Sequence, residues 1–87
     1  MKRERLEIIK DILKIIQDYR VIKITPLIRK SNLSSQRFME YFKDLKEKQL
    51  IKETTEKEKK LYSLTEKGQR YLEKYSTIVK FIDEFEL

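Results

Sequence analysis

Leu6, Ile9, Ile12, Leu13, Ile16 and Tyr19 recur at steps of three and four residues, the period of one helical face. They predict an amphipathic helix over residues 3–19, and Ile8 and Ile15 widen its apolar face enough for two packing neighbours. Val21-Ile22-Lys23-Ile24 is short and β-branched, which suits a small strand. Thr25-Pro26 reads as an N-cap followed by proline at the first helical position, where a missing N–H wastes no bond. A short helix is therefore expected over 26–30, and Ser31-Asn32-Leu33 is a turn. Ser34 can cap a third helix over 34–48, with Leu33 and Phe38 placed as a hydrophobic staple. Its buried face is Phe38, Tyr41, Phe42 and Leu45.

Two strand-like runs follow, Leu50–Thr54 and Lys60–Leu64, separated by the polar Thr55-Glu56-Lys57-Glu58-Lys59. They predict a hairpin with a solvated tip. Thr65 can cap a last helix reaching Phe85. Along it Tyr71, Tyr75, Ile78, Ile82 and Phe85 step by four, three, four and three, a heptad seam with Leu72 and Val79 beside it. The helix is too long for all of these to pack on so small a domain, so the seam is expected to be an interface, with a second copy as the partner. The plainer alternative is a helix folded back wholly onto its own domain. The single glycine, Gly68, falls in the first turn of this helix and is expected to mark close packing against a neighbouring element.

Helix, turn and helix followed by a charged hairpin is the order of a DNA-binding helix-turn-helix with a wing. A step of about 100° per residue turns Gln36, Glu40, Lys43 and Glu47 outward on the third helix, flanked by Ser35, Arg37 and Met39. Ser35, Gln36, Arg37, Met39 and Glu40 are the candidate base-reading residues. Glutamine can pair bidentately with adenine, arginine with guanine, and a glutamate can accept from cytosine. Thr25, Arg29, Lys30, Ser34, Lys43, Lys57, Lys59 and Lys60 are candidate phosphate contacts, which give affinity and register without sequence information. The plainer alternative for each is a solvated surface side chain. Residues 34–48 carry four basic and three acidic side chains, so Glu40 and Glu47 face the groove with the wrong sign for a phosphate.

The chain has 87 residues, enough for one small domain. It has 21 Lys and Arg against 15 Asp and Glu, a net +6. Residues 1–60 hold 17 basic and 10 acidic side chains, whereas residues 61–87 hold 4 and 5. The positive field thus belongs to the helix-turn-helix and wing, which suggests a polyanionic partner there; the plainer alternative is a solvated, charge-rich surface of the kind common in thermophile proteins. Histidine and cysteine are both absent. That removes disulfides, thiolate nucleophiles, imidazole bases and zinc fingers, and no carboxylate pair has a catalytic or metal-binding spacing. No enzyme activity, metal or cofactor is expected. No export signal or membrane span is expected either, which points to a cytoplasmic, nucleoid-associated protein.

Several stretches resemble the archaeal winged helix-turn-helix family that includes the small 10a-type chromatin proteins. They are Arg5-Leu-Glu-Ile-Ile-Lys-Asp-Ile-Leu, Thr25-Pro-Leu-Ile-Arg-Lys-Ser-Asn-Leu-Ser, and then Phe38, Tyr41-Phe42, Leu45 and Leu50-Ile51. Last comes Tyr62-Ser-Leu-Thr-Glu-Lys-Gly, followed by Leu72. The resemblance implies a mainly α fold with a small β-hairpin: a winged helix-turn-helix domain over 1–64 and a C-terminal dimerisation helix over 65–87, paired as an antiparallel coiled coil. It also implies a homodimer that binds double-stranded DNA through the third helix and the wing, as a transcriptional regulator or an architectural protein. The residues alone leave the helix pairing direction open. The competing function is a winged-helix protein-docking module that reads no DNA.

Overall fold

The computed structural model describes residues 4–87. In chain order the elements are α1 (Glu4–Tyr19), α2 (Ile24–Ser31), α3 (Ser35–Glu47), β1 (Ile51–Glu56), β2 (Lys59–Leu64) and α4 (Glu66–Phe85). Arg3, where the first helix was expected to begin, lies outside the described residues. Along α1 the face Ile9, Ile12, Leu13 and Ile16 is buried, and Ile8 and Ile15 pack beside it. The two ends of the expected stripe, Leu6 and Tyr19, are exposed. Arg20 ends the helix in a left-handed conformation (φ 64°).

The expected strand at 21–24 shrinks to one antiparallel bridge. Ile22 N donates to Tyr62 O at 3.0 Å and Tyr62 N to Ile22 O at 2.9 Å. It goes no further because α2 starts at Ile24, two residues before Pro26. Thr25 is therefore inside the helix and does not cap it; Lys23 holds the cap position without a side-chain bond. Proline is tolerated there because the third helical residue has no intrahelical acceptor for an N–H in any case. The earlier start lets Ile24, Leu27 and Ile28 join the core, with Leu27 fully buried. Asn32 closes α2 in the left-handed region (φ 62°), and Ser31 Oγ donates to Ile28 O at 2.6 Å.

Ser34 caps α3 as expected, its Oγ accepting from Arg37 N at 3.2 Å. Phe38, Phe42 and Leu45 point inward. Phe38 stacks on Phe42 (5.2 Å), and Phe42 meets Tyr62 edge-on (4.9 Å). The hairpin is tighter than the sequence suggested. Its loop is only Lys57-Glu58, both with positive φ (51° and 65°), between the paired residues Glu56 and Lys59. That is the twist of a primed two-residue turn, adopted here without the usual Gly or Asn. Lys59 consequently belongs to β2 and not to the tip, while Lys60 lies on the strand as expected.

Thr65 caps α4, accepting from Gly68 N at 3.1 Å, and its hydroxyl donates to Gln49 O at 2.6 Å. One side chain thus fastens the start of α4 to the corner between α3 and β1. Gly68 sits so close to that corner that a Cβ would collide with the Leu50 carbonyl oxygen and lie 3.3 Å from Leu64 Cδ2. Absence of a side chain is what lets α4 dock there.

Candidate nucleic-acid interface

Three elements meet around one groove: α2 at Ile24, α3 from Met39 to Glu47, and the hairpin at Glu53, Lys60 and Tyr62. All five candidate base-reading residues, Ser35, Gln36, Arg37, Met39 and Glu40, are exposed on α3. The cap at Ser34 satisfies one backbone donor of the first turn. Thr25, Arg29, Lys30, Ser34, Lys43, Lys57, Lys59 and Lys60 are also exposed. Arg29 and Lys30 occupy the last turn of α2, where cations are favoured by the helix dipole. Lys30 also lies over the Tyr19 ring, 5.0 Å from its centroid.

Strand pairing divides the wing cations. Partners across the ladder share a face, so Lys60, Tyr62, Glu53 and Ile51 point toward α3, whereas Lys59 and Lys52 lie on the reverse face. Between α3 and the hairpin runs an open groove of about 510 Å³, lined by Met39, Phe42, Lys43, Lys46, Glu47, Glu53, Lys60 and Tyr62. It brings two expected contacts, Lys43 and Lys60, into one place. Lys57 and Lys59 stand apart on the tip and outer face. Lys46 and Lys52 were not foreseen; for Lys52 the signal was the strand's period of two, which puts it on the same face as Lys59, four residues further down the ladder.

The acidic residues of α3 divide into two kinds. Asp44 is bonded to Arg5 (2.6 Å) and Lys48 (3.1 Å). The Lys48 hydrogen bond, assisted by the charge of Arg5, holds its pKa below the usual carboxylate value. Asp44 therefore ties α1 to α3. Glu40 and Glu47 are exposed and make no ion pair among the described residues, although Arg5 and Arg37 line a small pocket with Glu40, and Lys43 and Lys46 line the groove with Glu47.

The seam on α4 is divided too. Tyr71 and Leu72 pack against their own core, and Tyr71 OH donates to Leu6 O at 2.8 Å. Burial raises the Tyr71 pKa to about 12. Tyr75 is half-buried, with Lys10 Nζ 5.7 Å from its ring centroid. Beyond it Ile78, Val79 and Phe85 are exposed, and so is Phe81, which the heptad count passes over; Ile82 is half-buried between them. Phe81 and Phe85 are in contact, ring centroids 4.9 Å apart. A larger open groove, about 700 Å³, runs between α1 and α4 past Lys10, Lys14, Leu72, Tyr75 and Val79. Among the described residues no acidic cluster could hold a metal ion, and no helix is long and apolar enough to cross a membrane.

A family model described as winged helix-turn-helix matches residues 2–83. The structure is similar to that of Sso10a-2, a DNA-binding protein from Sulfolobus solfataricus, with a TM-score of 0.78 at 24% identity over 97% of this chain and 86% of the other. No curated protein sequence matches the chain.

Proposed function

Because the chain belongs to the winged helix-turn-helix family, we propose that it binds double-stranded DNA as a homodimer, with α3 in the major groove and the hairpin on the adjacent backbone. The observation that carries this is the capped, exposed first turn of α3, Ser35-Gln36-Arg37, together with the exposed cations of α2, α3 and the wing. Gln36 and Arg37 read base edges. Arg29, Lys30, Lys43, Lys57, Lys59 and Lys60 neutralise phosphates, with Thr25 and Ser34 as uncharged contacts.

The dimer is supported by the far half of α4. Its 20 residues extend about 30 Å, and Ile78, Phe81 and Phe85 are each more than half exposed at its end. Charge favours antiparallel pairing. The first half of α4 carries Lys67, Arg70 and Lys74 against Glu66 and Glu73, whereas the end carries Asp83, Glu84 and Glu86 against Lys80. Antiparallel helices set the acidic end of one protomer beside the basic half of the other.

The test is duplex affinity against salt. Six phosphate contacts predict a log–log slope of about −5 per protomer. Gln36→Ala combined with Arg37→Ala is expected to lower affinity by one or two bidentate contacts, about 1–3 kcal/mol each, with no change in oligomeric state. Absence of duplex binding at low salt would refute the reading and favour a protein-docking role. Selection from a random duplex pool separates the two DNA roles: an enriched palindrome marks a regulator, and no enrichment marks an architectural protein.

A further inference from the structure

The groove between α3 and the hairpin contains an anion where DNA binding calls for cations. Glu53, with its side chain 28% exposed, accepts from Lys46 Nζ (3.2 Å) and from Tyr62 OH (3.0 Å) on the same oxygen. Lys60 Nζ lies 3.9 Å from the other oxygen. Tyr62 is the fixed member of this group. It is buried, wedged edge-on against Phe42, bridged to Ile22, and directly opposite Glu53 in the strand register. Among the described residues Lys60 pairs with Glu53 alone, while Lys46 pairs with Glu53 and also lies over the Phe42 ring, 5.7 Å from its centroid; the two side chains remain 66% and 45% exposed. Lys46 lowers the Glu53 pKa first and Tyr62 second, so the carboxylate stays charged across neutral pH.

We propose that Glu53 is a resident substitute for DNA phosphate. In the free protein it holds Lys46 and Lys60 in the groove, and both ammonium groups exchange it for phosphate oxygens when a duplex enters. This rests on the DNA-binding reading above. Asp44 has no such part, because it joins α3 to α1 through Arg5. Nor has Glu47, which lines the groove and makes no ion pair among the described residues. The exchange lowers affinity below what the number of cations implies, and it keeps the wing aligned with α3 before DNA arrives.

Glu53→Gln retains an acceptor for Tyr62 and removes the charge. In fluorescence anisotropy with a labelled duplex, it is expected to bind about three- to tenfold more tightly, the scale of two exposed ion pairs no longer in competition. Its log–log salt slope should stay within about one of the wild-type value, because Lys46 and Lys60 neutralise the same phosphates in both complexes. In a Lys46→Gln, Lys60→Gln background the same substitution should change affinity by less than about twofold, since a coupling shows as non-additivity. Equal or weaker binding by Glu53→Gln would overturn the proposal and make Glu53 a strut for the wing. An undiminished gain without the lysines would overturn it too, leaving only a long-range charge effect. If none of the proteins, wild type included, binds duplex at low salt, the DNA-binding reading itself has failed, and the exchange with it. Melting curves verify folding; should Glu53→Gln melt early, Glu53→Thr, well suited to a strand, gives the same comparison.

Discussion

Replacing Gly68 with alanine tests how α4 is joined to the rest of the domain. The added methyl would meet the Leu50 carbonyl oxygen and press on Leu64 Cδ2. The same carbonyl accepts from Thr65 N at 3.2 Å, so backing away from the methyl also strains that bond. Overpacking of this kind costs about 1–3 kcal/mol, and a weakened hydrogen bond adds about 1 kcal/mol. Alanine's better helix propensity returns at most about 1 kcal/mol. The net is a loss of about 2 kcal/mol. For 87 residues the unfolding entropy is about 0.18 kcal/mol/K, so Tm should fall by about 10 °C. Circular dichroism melts at matched protein concentration measure this, because a dimer's Tm depends on concentration. Ser76→Ala, exposed on the same helix, serves as the control and should melt within about 2 °C of wild type. A Gly68→Ala protein that melts at or above the wild-type temperature would refute the close-approach account.

Three further predictions concern the dimer, alkaline pH and the hairpin. Ile78→Glu should give a monomer of 10.7 kDa by light scattering where the wild type has twice that mass, and should weaken DNA binding through lost bivalency; an intact dimer would move the interface elsewhere. Tyr71 ionises at about 12, against 10.0 for a free tyrosine. The folded state therefore holds that proton more tightly than the unfolded chain, so its contribution to stability is complete below pH 10 and is lost as pH rises from 10 toward 12. Burial and the Glu53 hydrogen bond also push the Tyr62 phenol up, so ultraviolet titration should show more than one late phenol, of which one near 12 disappears in Tyr71→Phe; an unchanged titration would refute this. Glu58→Gly relieves a left-handed residue (φ 65°) and should raise stability by about 1 kcal/mol, roughly 5 °C in Tm; a lower Tm would contradict the turn geometry.

Helices announced by long apolar periods were legible, and what depends on tertiary contact was not. The stripes of α1 and α3 and the caps at Ser34 and Thr65 were readable because each is decided within a few residues. Thr25-Pro26 misled because it has the chemistry of a helix start, while burial of Ile24 and Leu27 placed the start earlier. The tip at Lys57-Glu58 carried no glycine or asparagine to signal a two-residue turn, so its polar surroundings read as a longer loop. On α4 the spacing revealed an apolar face but not which part α1 covers. That division follows from the approach at Gly68 and the Tyr71–Leu6 bond, neither of which has a periodic signature. Phe81 was missed because the heptad steps from Ile78 to Ile82, although its four-residue spacing to Phe85 is itself a contact signal. At the candidate site the outward residues of α3 were accessible to helical geometry. The assembly around Glu53 was not, because it requires the strand register and the docking of α3 against the hairpin.

Thr65 has a mechanical consequence. Its one hydroxyl oxygen grips both the first turn of α4 and the last corner of the helix-turn-helix, and Gly68 removes the clearance in which the joint could swivel. In a paired assembly such a joint behaves as a welded axle. The separation and relative rotation of the two recognition helices would be set by how the far ends of α4 mesh, and a shift of one residue there would appear as a changed spacing between the half-sites each protomer can reach.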